Sequence, residues 1–116
     1  TIQIWGDGEV VRDYIYVDDL IELGVTGGRS NVCGTFNAGS GIGYSLNQIC
    51  AAISEVMGHP LDVAYLPGRN FDVRRIVLDI AAASTAFSWA PQVPLVQGIE
   101  HTWRALLKRG LGTPRA

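Results

Sequence analysis

Apolar residues recur along this chain with two different periods. Ile2-Gln3-Ile4-Trp5 alternates apolar with polar or amphipathic side chains, Gly6-Asp7-Gly8 supplies turn chemistry, and Val10 to Val17 resumes a β-rich run, which predicts two short opening strands. Side chains two apart on a strand share a face. Arg12, Tyr14 and Tyr16 are therefore expected on one side and Val11, Ile15 and Val17 on the other, one face against a core and the other open to ligand. Asp18-Asp19 then offers an N-cap and first-turn negative charge for a short helix through Leu20, Ile21 and Leu23, ended by Gly24 or by Gly27-Gly28. Asp19 reads as a helix cap and not as a catalytic group.

Thr35 to Ala38 is a predicted strand, followed by the cluster Gly39-Ser40-Gly41-Ile42-Gly43 and a well-marked helix. Ser45 and Gln48 have capping-box spacing, and Leu46, Ile49, Cys50, Ile53, Val56 and Met57 form one apolar stripe that Gly58 and His59-Pro60 terminate. Val63 to Leu66 is a candidate strand, and Pro67-Gly68 turns the chain so that Arg69, Asn70 and Asp72 fall in a loop. A further helix is expected from near Asp79. The last helix carries Leu95, Ile99, Trp103, Leu106 and Leu107 at helical spacing, with Lys108 and Arg109 at its negative end and Gly110 as its stop. Residues 1–110 are expected to form one domain and residues 111–116 a loose tail, with no internal repeat.

Composition narrows the function. An apolar fraction of 47% and a charged fraction of 17% favour a folded chain over a disordered one. A net charge of -2 lacks the positive potential of a nucleic-acid binder, so no nucleic-acid partner is expected. Eight of the nine basic residues are Arg, and a planar guanidinium suits bidentate recognition of phosphate or carboxylate. Cys33 and Cys50 are too few for a disulfide framework and lack paired metal-ligand spacing; they read as small buried apolar residues in a reduced, cytoplasmic setting. His59 and His101 lie far apart, and no metal site is expected. No run approaches the roughly 18 apolar residues of a membrane helix and no signal peptide opens the chain, so no membrane partner is expected either. The start at Thr1, directly before a strand, is what a piece of a longer chain would show.

Thr35 to Met57 superficially matches a dinucleotide-binding fingerprint, in which glycines let backbone amides approach a pyrophosphate at a helix N-terminus. In Gly39-x-Gly41-x-Gly43 the third glycine comes one position early, and no acidic residue ends the next strand, Asp62 preceding it instead. A structural turn using the positive φ that glycine permits is the preferred reading, with NAD binding as its alternative. Two Arg-bearing segments are more informative: Gly6-Asp7-Gly8-x-x-x-Arg12-Asp13-Tyr14-Ile15-Tyr16-Val17-Asp18-Asp19-Leu20 and Pro67-Gly68-Arg69-Asn70-Phe71-Asp72-Val73. Taken alone they read as exposed ion pairs, Arg12 with Asp13 or Asp18 and Asp72 with Arg69, Arg74 or Arg75.

With Phe36-Asn37-Ala38-Gly39-Ser40-Gly41 and Gly98-Ile99-x-x-Thr102-Trp103, these segments resemble, in order and over nearly the whole chain, the C-terminal portion of extended short-chain dehydrogenase/reductases, especially UDP-galactose 4-epimerase and its relatives. The resemblance implies an α/β fold: the substrate-binding part of an extended Rossmann-type epimerase, short strands with three to four helices, without the cofactor domain. It implies that Arg12 and Arg69 contact a substrate diphosphate, that Asp72 accepts hydrogen bonds from the nucleotide ribose, that Leu46 packs near the nucleoside, and that Tyr14, on the face of Arg12, lines the site. Two guanidiniums from separate segments can clamp a diphosphate by charge-assisted hydrogen bonds. The implied ligand is a nucleotide-diphospho-sugar, a UDP-sugar first. A sugar dehydratase or decarboxylase, or a stand-alone nucleotide-binding or interaction module, is the alternative.

The family's chemistry uses NAD to remove hydride and a Tyr base whose pKa a neighbouring Lys lowers, in the motif Tyr-x-x-x-Lys. The single Lys, Lys108, has Arg104 four residues before it, and Tyr65 is followed at that spacing by Arg69. The family's Gly-x-x-Gly-x-x-Gly loop is absent as well. No catalytic residue and no turnover are expected of these residues alone, with NAD held mainly by the rest of a parent enzyme. The resemblance also places Thr35 to Ala38 in a large sheet covered by the following helix. With most of that sheet gone, an exposed edge and an apolar helix face are expected to drive homodimerisation by strand pairing or domain swapping.

Overall fold

Pairing between distant segments, more than local propensity, shapes this chain. A computed structural model describes residues 1–69 and 71–111. In chain order its elements are β1 (Ile2–Trp5), β2 (Val11–Asp13), α1 (Val17–Gly28), β3 (Gly43–Ser45), α2 (Leu46–Met57), β4 (Val63–Leu66), β5 (Arg75–Ile76), α3 (Ala81–Phe87) and α4 (Leu95–Lys108). β1 runs parallel to β4, with Trp5 opposite Leu66, and a second sheet has the order β3-β2-β5, antiparallel then parallel. The fold is the expected mixed α/β arrangement of short strands and four helices. Asn70 and residues 112–116, most of the expected tail, lie outside the described residues.

α2 forms as its local signals dictate. The Ser45 hydroxyl accepts from the Gln48 amide at 3.2 Å, the Gln48 side chain accepts from the Ser45 amide at 2.8 Å, and Gly58 closes the helix at φ 74°. α4 packs across it. Between them and residues 14–16 lies an apolar groove of about 390 Å³, lined among others by Ile53, Met57, Ile99 and Trp103. A small core sits elsewhere, where Leu23 of α1, Ala83 of α3 and Trp89 are buried and Phe36 meets Phe87 edge-on at 4.9 Å.

Several expectations are corrected. The strand predicted from Val10 to Val17 stops at Asp13, and Tyr14, Ile15 and Tyr16, three consecutive residues, all line the groove, which strand alternation forbids. α1 starts at Val17, ahead of the expected Asp18-Asp19 cap, and of its two expected ends takes Gly27-Gly28, passing Gly24 because Leu23 is anchored in the core and packing outweighs the glycine penalty. Asp19 is not a cap: it is buried inside the first turn, and its carboxylate accepts the Val93 amide at 2.9 Å. Thr35 to Ala38 forms no strand, since no ladder partner faces it among the described residues; the Asn37 side chain donates to the Asp79 carbonyl instead. Cys33 is exposed and Cys50 half-buried. The helix expected near Asp79 forms from Ala81, with Ile80 as its N-cap, and the Asp79 carboxylate accepts the Ala81 amide at 2.9 Å.

The molecule is thin, with extents of 51 × 40 × 17 Å. Its accessible surface of 8045 Å² exceeds the roughly 6,200 Å² expected of a compact chain of this mass. α4 covers part of α2, whose Ile53 and Met57 still line the open groove, and a second apolar face lies on α1, where Val17, Leu20, Ile21 and Val25 are exposed.

Candidate functional site

The two Arg-bearing segments, some sixty residues apart in sequence, are joined along their length. β2 pairs with β5, setting Val11 opposite Arg75 and Arg12 opposite Ile76. The Val11 amide donates to the Arg74 carbonyl and the Gly6 amide to the Leu66 carbonyl, each at 2.8 Å. Gly6, at φ 91°, and Gly68 bring the two segments so close that a Cβ on Gly68 would touch the Gly6 Cα at 3.4 Å. Arg74 pairs with Asp7 at 3.0 Å, and the Asp7 carboxyl titrates below its ordinary value through the Glu9 amide first and Arg74 second.

Within this junction Arg12 is half-buried on β2. Its Nη1 donates to the Val11 and Val73 carbonyls at 2.8 Å each, and among the described residues Nε and Nη2 make no bond. The guanidinium is thereby carried to the 69–73 loop with one edge open, and pairs with neither Asp13 nor Asp18. Arg69 is exposed, with its guanidinium carbon over the Trp5 ring at 4.8 Å from the ring centre. The Asp72 amide closes the loop on the Arg69 carbonyl at 3.4 Å, and among the described residues its carboxylate makes no ion pair, since Arg74 is engaged by Asp7.

Asn47, unremarkable in the sequence, ties the start of α2 to the Gly6-Asp7-Gly8 turn. Its amide donates to the Asp7 carbonyl at 3.0 Å and to the Glu9 carboxylate at 2.5 Å, and its oxygen accepts the Tyr65 hydroxyl at 2.8 Å. Leu46, the first residue of α2, is half-buried beside it. Tyr14 is separated from this group and lines the groove between α2 and α4.

No family model matches the chain. Over 103 residues, 88% of its length, it is 38% identical to the UDP-glucose 4-epimerase of Mycolicibacterium smegmatis. Over 113 residues it is 34% identical to the UDP-glucose 4-epimerase of Yersinia pestis, covering 93% of the chain. The fold superimposes on the UDP-glucose 4-epimerase of Thermotoga maritima, solved with UDP-glucose, at a TM-score of 0.85 and 35% identity over 93% of this chain and 35% of that one. The enzyme from Bifidobacterium longum, in complex with NAD+ and UDP, gives 0.84 at 27% identity over 96% and 36%. The chain belongs to the epimerase/dehydratase family. It corresponds to the C-terminal part of such an enzyme, and spans 33% of the length of each of these two curated relatives.

NAD accompanies several of the related structures, and the one glycine cluster of this epimerase-like chain does not fit it. The Asp13 carboxylate accepts the Ser40 amide at 2.7 Å, the Ser40 hydroxyl at 2.6 Å, the Gly41 amide at 2.9 Å and the Leu78 amide at 3.3 Å. The loop amides that would cradle a pyrophosphate are already taken by a side chain of the same protein. β3 also separates the loop from α2, whose N-terminus has its own capping box. Partial burial pushes the Asp13 carboxyl up, but the Ser40 hydroxyl and the amides of Ser40, Leu78 and Gly41 outweigh it and leave the group below its ordinary 3.8. The Arg12-Asp13 dipeptide thus divides its work: Arg12 reaches the 69–73 loop and Asp13 holds the 39–41 loop.

Proposed function

We propose that this chain supplies the nucleotide-sugar-binding surface of an NAD-dependent UDP-sugar 4-epimerase. Arg12 and Arg69 bind the diphosphate, Asp72 accepts hydrogen bonds from the ribose, Leu46 lies near the nucleoside, and Tyr14 lines the site from the side of the groove. One observation supports this above the others: the Arg12 guanidinium is bonded into the loop that carries Arg69 and Asp72, with a bidentate edge unused among the described residues. Residues 1–110 act as one binding domain. In the whole enzyme NAD takes the hydride and is held outside these residues, whose sequence contains no Tyr-x-x-x-Lys; the chain by itself binds without turnover. It works in the cytoplasm and associates as a homodimer.

Calorimetry with UDP tests the reading. A lost charge-assisted hydrogen bond costs about 1.5–3 kcal/mol, so Arg12→Ala and Arg69→Ala should each weaken UDP binding by roughly 10- to 100-fold while uridine binding changes little. Equal UDP affinity in wild type and Arg12→Ala would refute the clamp. Binding of UDP without discrimination against other nucleoside diphosphates would favour a general nucleotide-binding module.

A further inference from the structure

A flexible arginine binds a diphosphate well only if its guanidinium is held near the ligand before binding, since ordering a free side chain costs affinity. Arg69 is exposed and follows Pro67-Gly68, where the chain has left the β1–β4 ladder without forming the expected turn. Its Cζ nevertheless lies 4.8 Å from the centre of the Trp5 ring. Three features build that contact. The parallel ladder of β1 with β4 ends on the pair Trp5 and Leu66, which puts the indole beside the end of β4. The Gly6 amide bond to the Leu66 carbonyl at 2.8 Å continues the ladder past the strand end. The approach of Gly68 to Gly6, with neither carrying a side chain, then keeps the two segments together up to Arg69. Trp5 is 46% exposed, so its free area is not filled by core packing.

We infer that Trp5 is a positioning residue for Arg69, using its ring face to hold the guanidinium in the direction from which it meets a nucleotide diphosphate. This rests on the diphosphate role given to Arg69 above. The contact is a cation–π one that draws on the charge of the guanidinium, whose five N–H donors outnumber what one ring can engage, so donors remain for phosphate oxygens. Ring and phosphate therefore engage Arg69 at the same time, the first directing it and the second bonding it.

UDP affinity is to be measured by calorimetry on the 116-residue chain as wild type, Trp5→Leu, Trp5→Phe, Arg69→Ala and Trp5→Leu/Arg69→Ala, with NMR of the Arg69 side chain in the ligand-free wild type and Trp5→Leu proteins. Trp5→Leu should weaken UDP binding about two- to five-fold, the range that an exposed cation–π contact converts to. The double variant should be no weaker than Arg69→Ala alone, because Trp5 acts through Arg69. Trp5→Phe should recover most of the loss, and the upfield ring-current shift of the Arg69 side-chain protons should vanish in Trp5→Leu. Additive losses, or no ring-current shift in the wild type, would overturn the inference. Weak binding by Arg69→Ala beside unchanged binding by Trp5→Leu would overturn it and leave the clamp standing. Unchanged binding by Arg69→Ala would remove the clamp reading and this inference with it.

Discussion

Asp13→Asn should destabilise the fold by about 2–3 kcal/mol, although the substitution keeps size and shape. One carboxylate oxygen accepts the Ser40 amide and hydroxyl, and the other accepts the Gly41 and Leu78 amides. An asparagine has one acceptor oxygen and one donor NH2. Its better orientation turns the NH2 toward Ser40, whose hydroxyl can reverse its role but whose backbone amide cannot. One amide then loses its partner, at about 1–3 kcal/mol, toward the low end because Ser40 is only half-buried. The Gly41 and Leu78 bonds lose their charge assistance as well, roughly 0.5–1 kcal/mol each. Urea denaturation followed by circular dichroism would measure the difference. The Asp13 pKa is lowered in the folded state, so its contribution is complete above the unfolded value near 3.8 and is lost as pH falls through the lower folded value. The gap between wild type and Asp13→Asn should therefore be constant from pH 5 to 7 and shrink below about pH 4, while the titration of Asp7 cancels because both proteins carry it. A variant within about 0.5 kcal/mol of wild type at pH 7, or a gap that does not narrow in acid, would refute this account of the loop.

Gly8→Ala should cost about 2 kcal/mol or more, because residue 8 has φ 76° and an added Cβ would strike the Asn47 amide. Asn47→Ala in the same background should return part of that loss in urea titrations, and failure to do so would place the strain elsewhere. Size-exclusion with light scattering should find a dimer, and Ile21→Glu, on the exposed face of α1, should shift it to monomer. A monodisperse wild-type monomer would count against association, and a dimer indifferent to Ile21→Glu would place the interface off α1.

How much could be read from the sequence follows from how local each signal is. α2 was legible in full, since its capping box, stripe and glycine stop all act within one segment. Val63 to Leu66 was legible as a strand, but its pairing with β1 was not. Thr35 to Ala38 carries strand-forming residues and still forms no strand, because a ladder needs a partner that local sequence cannot supply. β5 is the converse: Arg75 and Ile76 have no alternating pattern and pair only because β2 lies alongside. In the site, Arg12, Arg69 and Asp72 were singled out through the family motifs, and their proximity could not be derived from spacing. Asp13 was hidden by reading Arg-Asp as an ion pair, when its partners are loop amides. Asn47 gave no signal beyond a polar residue in the first turn of a helix. A Gly-Asp-Gly turn that leaves carbonyls to be satisfied was the one hint that such a donor was needed.

The residues proposed to grip a diphosphate do not share one rigid element. Trp5 and Arg69 belong to the end of the β1–β4 sheet and the segment beyond it, whereas Arg12 belongs to the separate sheet of β3, β2 and β5. The Gly6–Gly68 approach and the Val11 amide on the Arg74 carbonyl extend one ladder each; the links between the sheets are their connecting segments, joined by the Arg74–Asp7 pair and by Asn47, which bonds Asp7, Glu9 and Tyr65. The ion pair is exposed and weak, so the connecting segments and Asn47 carry most of the constraint. If Arg12 and Arg69 clamp a diphosphate as proposed, Gly8→Ala should weaken UDP binding in calorimetry by more than its stability loss in urea explains, and an unchanged affinity would refute that coupling.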